Sequence, residues 1–276
     1  MDHGALTAAV DVARAHGVRA DDAVILRDQL NVLVHLRPAP VVARVAGTIT
    51  RARTGPAWQR RELAIATHLA QAGAPVVAPS DELPPGPHEH DGRVLSFWTY
   101  AEDTGTPADP AAAGQALRDC HEALHSFGGS LPVLTGVTEA EALLATLAAE
   151  ELIDGITAAK LLARIEELHV TLGSLRSPIQ PLHGDAHLNN VINTPAGPLW
   201  NDWEDTCLGP LGWDAACLKL SRREGAEAAL AASGIALDAA ELALWVEARS
   251  LQLTVWRALS ATSPPAPARR RRPPRS

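Results

Sequence analysis

Residues 181–216 read PLHGDAHLNNVINTPAGPLWNDWEDTCLGPLGWDAA, and this stretch decides the fold. The segment VINTPAGPLW reads as two short strands joined by a Pro195-Ala196-Gly197-Pro198 turn, so it predicts a tight hairpin. A hairpin brings its ends together. Asp185, His187, Asn189 and Asn190 on the entering side then face Asp202, Glu204 and Asp205 on the leaving side. Converging carboxylates repel one another, and burial makes the repulsion worse. They call for a cation, and a divalent metal meets that need.

Toward the N-terminus the pattern is β-rich. Residues 23–26, 31–36 and 41–45 are short apolar runs with tight connections, which reads as an antiparallel meander. A helix precedes them over 5–16, closed by Gly17, and another follows from about Pro56 to Gln71. On that second helix Trp58, Glu62, Ile65 and Leu69 share helical spacing, so Glu62 falls on the apolar stripe. A carboxylate there needs a cationic partner, and Arg44, the charged residue inside the third run, is the candidate. A turn at 87–93, where His88, Glu89, His90 and Asp91 read as a solvated loop, leads into a last strand over 94–100.

From about residue 101 the character changes to helical. Asp109 and Pro110 open one helix, and Thr138 with Glu141 forms a capping box for a second over 139–152. Further helices are expected at 158–175, 217–233 and 238–260. The sequence thus predicts an α+β chain: a β-rich lobe over 1–100, a mainly helical lobe over 101–262, and a disordered Pro/Arg tail over 263–276.

Composition narrows the function classes. A chain of 276 residues with 46% hydrophobic content can bury a large core. No run approaches the roughly 20 apolar residues of a membrane span, and the N-terminus lacks the pattern of a signal peptide. Three scattered cysteines suit reduced thiols in a cytoplasm. The net charge is −8, and the last twelve residues hold five arginines and no acid, so the remainder carries −13. Such a body binds nucleic acid poorly, because that affinity rests on neutralising phosphates.

His183-Gly184-Asp185 followed by Asn190 has the H-x-D-x-x-x-x-N spacing of a kinase catalytic loop, and Asp202 follows on the return strand. With NDWED and GWDAA behind it, the chain resembles the aminoglycoside phosphotransferase and choline-kinase-like family from about Val24 to Ser260. The resemblance implies a two-lobed protein-kinase-like fold and transfer of a γ-phosphoryl group from ATP or GTP to a hydroxyl of a small molecule. It implies Asp185 as the catalytic group at that hydroxyl, and Asn190 and Asp202 as ligands of Mg²⁺. His183 and Asp214 would be structural. Arg44 and Glu62 would grip the α/β-phosphates, and the backbone of Phe97, Trp98, Thr99 and Tyr100 would form the hinge that holds the base.

Two departures accompany the resemblance. Position 44 is arginine where lysine is usual, and the expected phosphate-covering segment Arg27–Asn31 contains no glycine. A non-catalytic nucleotide-binding protein is therefore one alternative. A metal-dependent hydrolase using His183, Asp185 and His187 is another. Glu204 and Asp205 remain as acceptor contacts, suited to a cationic hydroxyl compound such as an aminoglycoside or amino alcohol, with a sugar-like acceptor also open. Trp200, Trp203 and Trp213 cluster near the motif as core residues or as an aromatic wall for the acceptor.

Overall fold

The computed structural model describes residues 2–28, 31–46, 56–134, 136–149, 151–221 and 223–261. Gln29 and Leu30 of the expected phosphate-covering segment, and the Arg-rich tail, lie outside them. Two compact units are present: Met1–Leu134 with Arg176–Val246, and Thr135–Leu175 with Glu247–Ser276.

The first unit opens with α1 (His3–Ala15), which begins earlier than its apolar pattern because Asp2 caps it, accepting from the Ala5 amide. Strands β1 (Val24–Asp28), β2 (Asn31–His35) and β3 (Val41–Ala46) follow, then α2 (Ala57–Gln71), β4 (His88–His90) and β5 (Arg93–Thr99). They build an antiparallel sheet in the order β1-β2-β3-β5-β4. The expected turn is therefore shorter than 87–93: His88–His90 pairs as strand, and Asp91-Gly92 makes the reversal, both at positive φ.

Alternation along β3 decides which residues meet the site. Side chains of a strand point to opposite faces in turn. Val41, Ala43 and Val45 join Val32, Val34, Leu95 and Phe97 in a core with Ala5, Ala9 and Val12 of α1. Arg44 therefore belongs to the other face, where α2 presents Glu62 beside its buried Leu63, Ile65 and Ala66. After α2 the chain pairs with the catalytic hairpin, where the Val77 amide donates to Trp200 O and the Trp200 amide to Pro75 O.

The rest of this unit holds α3 (Pro110–Leu124), β6 (Gln180–Leu182), β7 (Val191–Thr194), β8 (Gly197–Trp200), β9 (Cys207–Gly209), α6 (Gly212–Lys219) and α7 (Ala226–Ala232). β7 and β8 form the predicted hairpin, and β6 pairs with β9 outside it. The single helix expected over 217–233 is two: α6 starts at Gly212, and the chain turns through Gly225 at φ +87° before α7. The second unit holds α4 (Gly136–Ala149), α5 (Gly155–Ser174) and the end of α8 (Ala239–Ala261). Thr138 lies inside α4, so it does not cap it, and α5 starts early because Asp154 accepts from the Ile156 and Thr157 amides.

Packing of α3 on α7 depends on a missing side chain. A Cβ on Gly114 would lie 2.1 Å from the Ala229 carbonyl oxygen, a backbone atom that cannot swing aside. Gly114→Ala is expected to destabilise the protein by about 1–3 kcal/mol in urea unfolding, the usual cost of overpacking. Gly128→Ala, with nothing within 4 Å of the added carbon, is the control. It is expected to stay within about 0.5 kcal/mol of wild type, and equal effects would count against this reading.

Candidate active site

The catalytic loop, Leu182–Asn190, hangs on a buried carboxylate. Asp214, at the first turn of α6 and fully buried, accepts from the His183 amide (2.8 Å) and the Gly184 amide (2.9 Å). It also accepts from His121 Nε2 of α3 (2.8 Å). Burial alone would raise its pKa, but the bonds from His121, the nearby His183 ring and the His183 amide outweigh that and hold it below the usual carboxylate range. Gly184 is required twice over. Its φ is +85°, and a Cβ there would sit 2.0 Å from the Asp205 carbonyl oxygen. A side chain at this position would push the two halves of the site apart.

His183 is fully buried beneath the loop. Its Nδ1 accepts from the Asp185 amide (3.3 Å), so Nε2 carries the proton and donates to Asn201 O (3.1 Å). Burial pushes its pKa down, in keeping with a neutral ring. With both nitrogens engaged, His183 is not placed as a metal ligand, and the hydrolase arrangement of His183, Asp185 and His187 does not assemble. Among the described residues no group of three or more His, Cys, Asp or Glu side chains stands ready to hold a metal by itself. The three tryptophans pack under the loop. Trp203 and Trp200 contact the His183 ring at centroid distances of 4.3 and 5.2 Å, and Trp213 Nε1 donates to Gly184 O. All three are buried, so they form core and not an acceptor wall.

Asp185 and Asn190 face each other across the loop. Asn190 Nδ2 donates to Asp185 O (3.0 Å) and reaches Asp185 Oδ2 at 3.5 Å, which leaves its amide oxygen for a hard cation. His187 Nε2 lies 3.4 Å from Asp185 Oδ2. On the return strand Asp202 adopts the left-handed conformation (φ +66°, ψ +56°), an uncommon state for a non-glycine residue. It turns the chain from β8 into the 3-10 turn Trp203–Asp205.

Arg44 joins the strands, helix and loop. Its Nη1 donates to Glu62 Oε2; its Nη2 donates to Glu204 Oε2 (2.6 Å) and Asp202 Oδ1 (3.2 Å). Glu204, grouped with Asp205 on the acceptor side in the sequence, thus has its carboxylate on the arginine. With its amide oxygen turned inward, as the donors demand, Asn31 accepts from Nη2 (2.8 Å) and Nε (3.1 Å). Burial opposes the guanidinium charge, but Glu62, Asp202 and Glu204 overcome it and raise the Arg44 pKa. For Glu62, burial and the carboxylates of Asp202, Glu204 and Asp205 push the pKa up against the pull of Arg44. Asp202 moves the same way, raised by burial and by Glu204 and Asp185 while Arg44 opposes. Glu62, Asp202 and Glu204 thus meet on the Arg44 guanidinium.

Two contributors escaped the sequence reading. Arg61 Nη2 donates to the Glu204 carbonyl, and its guanidinium lies 4.3 Å over the Trp58 ring. The i, i+3 spacing on α2 was a usable signal for that stack. His121 carried no signal, because its partner Asp214 is 93 residues away.

The hinge differs in detail from its expectation. The amides of Phe97, Thr99 and Tyr100 already donate to Pro85, Ala78 and Pro40 carbonyls (2.8–2.9 Å), so these three are not donors for a base. Phe97 points into the sheet core, and the Tyr100 ring stacks on His35 at 3.9 Å.

The chain combines an antiparallel sheet, a carboxylate-anchored H-x-D loop and a buried arginine–glutamate pair. The profile of the APH phosphotransferase enzyme family matches residues 27–251, and the chain belongs to that family. It is a small-molecule kinase. Its fold is similar to that of a choline/ethanolamine kinase family protein from Mesorhizobium loti (TM-score 0.67, 18% identity, covering 93% of this chain and 88% of that one). It is also similar to the amicoumacin kinase hAmiN in complex with AMP-PNP, Ca²⁺ and Ami (0.68, 14%, 94% and 89%). A third likeness is to an aminoglycoside phosphotransferase from Streptomyces rimosus (0.60, 18%, 90% and 98%). No curated protein sequence matches the chain. No helix among the described residues is long and apolar enough to cross a membrane.

The anchoring carboxylate gives a pH test. Asp214→Asn is expected to lower stability at pH 7 by about 3–5 kcal/mol, the cost of breaking a buried charged network. Because the folded pKa is depressed, the carboxylate's contribution is present above the unfolded pKa of about 3.9 and lost as pH falls through the folded one. Urea unfolding of both proteins at pH 7 and at pH 3 should show the gap shrinking in acid. A gap independent of pH would remove the carboxylate charge from this role.

Proposed function

We propose that this chain transfers the γ-phosphoryl group of ATP or GTP to a hydroxyl of a small molecule, with Mg²⁺ as the metal. The observation that carries this reading is the convergence of Arg44, Glu62, Asp202 and the Asp185–Asn190 pair on one partly buried place, where Asp202 feels the charge of Asp185. Transfer through a loose transition state needs positioning and charge neutralisation more than covalent chemistry. The residues present suit that demand. Asn190 and Asp202 would hold Mg²⁺, whose charge, when bound, offsets that of the nucleotide phosphates. Asp185 receives the acceptor hydroxyl and takes or orients its proton, held in place by the Asn190 amide and accompanied by His187. Arg44, fixed by Glu62, supports the nucleotide phosphates. The base is read along the strand end Trp98–Tyr100 through groups other than the three amides already bonded within the protein.

The acceptor is a cationic hydroxyl compound of the aminoglycoside or amino-alcohol kind. Support comes from the acidic body of the chain, from Asp205 beside the loop and from the relatives named for such acceptors. The composition, with its three buried free cysteines, suits action in the cytoplasm.

Nucleotide release measured over a panel of amino alcohols, aminoglycosides and neutral sugars, with ATP and with GTP, tests the reading. Turnover is expected to require Mg²⁺, and Asp185→Asn is expected to lower kcat by about 10²–10⁴ while nucleotide binding persists. Transfer that survives in that variant would remove Asp185 from its role. Turnover of neutral sugars alone would overturn the cationic acceptor.

A further inference from the structure

An arginine at position 44 presents a problem that a lysine would not. A lysine ammonium is a compact point charge that one glutamate can hold, whereas a guanidinium is a planar fork with five donors. Glu62 engages one terminal nitrogen of Arg44. The side chain is only 11% exposed, so the second terminal nitrogen would be costly to leave without an acceptor. Glu204 Oε2 meets that nitrogen at 2.6 Å, closer than Asp202 at 3.2 Å, and Asn31 accepts from the same nitrogen and from Nε.

Glu204 is itself held. Arg61, next to Glu62 on α2, donates to the Glu204 carbonyl while lying over Trp58. Helix α2 therefore controls both branches of the guanidinium. Glu62 acts directly on one, and Arg61 acts on the other through the backbone of Glu204.

We propose that Glu204 is a positioning residue that makes arginine serviceable as the phosphate-supporting cation: with Asn31 it fixes the plane of the Arg44 fork that Glu62 grips from one side only. The inference rests on the nucleotide-binding part of the proposed function. It moves Glu204 from the acceptor to the nucleotide and ties its value to the identity of residue 44. A lysine at that position would make the Glu204 carboxylate dispensable for nucleotide binding.

A double-mutant cycle reads this coupling. Binding of Mg-AMP-PNP, and of Mg-GMP-PNP in parallel, is measured by titration calorimetry for wild type, Glu204→Gln, Arg44→Lys and the double variant. Glu204→Gln is expected to weaken binding by about tenfold in the wild-type background and by less than about twofold in the Arg44→Lys background, the difference expected of contacting side chains. Where acceptor turnover is available, KM for the nucleotide should rise while KM for the acceptor holds. Thermal melts accompany each titration. If Glu204→Gln loses its folding transition, Asn31→Ala carries the same cycle, since it removes an acceptor from the same fork and leaves Glu204 in place. Equal weakening in both backgrounds would mean that Glu204 acts on the metal or nucleotide directly, and would overturn the proposal. So would the absence of weakening in either. A wild-type protein that binds neither Mg-nucleotide would instead overturn the functional reading on which the proposal stands.

Discussion

One guanidinium holds the working parts of this protein in register. Arg44 leaves β3 on the face opposite the α1 core and meets carboxylates from α2, from the end of β8 and from the turn that follows. In water each such contact would be worth little. Here the arginine and Glu62 are buried, and an uncompensated charge would be far more costly than the pair. The strands, the helix and the turn after β8 are thereby held to one another.

The catalytic loop answers to a second constraint. Asp214 collects three donors, two of them consecutive backbone amides, and so sets the course of the chain through His183 and Gly184. The neutral His183 ring and three buried tryptophans fill the space beneath, with Trp200 Nε1 bonded to Ala113 O of α3. Asp185 thus emerges from a rigid support, as the role proposed for it would require. Gly184 allows the loop to touch the Asp205 backbone, and this closeness brings the two polar clusters together.

Local rules served well where one strong feature decided the outcome and poorly where neighbours competed. Asp109 with Pro110 opens α3 as its chemistry demands, but the capping box of Thr138 and Glu141 lost to a helix already begun at Gly136. The apolar run over 217–233 reads as one helix, but α6 begins at Gly212, where the ring of Trp245 lies against the backbone, and Gly225 breaks the run before α7. The hinge amides are taken up by the carbonyls of Pro40, Ala78 and Pro85, and no pattern within 97–100 could reveal that.

By itself the sequence determined the hairpin, the order Asp185, Asn190, Asp202, Asp214, and the pairing of a strand arginine with a helix glutamate. Period-2 and period-3.6 patterns and the spacing of polar residues are properties of the chain read locally. Only the tertiary structure decided what those residues do to one another. It put Glu204 on Arg44, Arg61 on the Glu204 backbone and His121 on Asp214, across separations of 160, 143 and 93 residues. Such partnerships follow from which faces pack together and which charges are left buried, and a buried charge takes its partner from whatever the fold brings within reach.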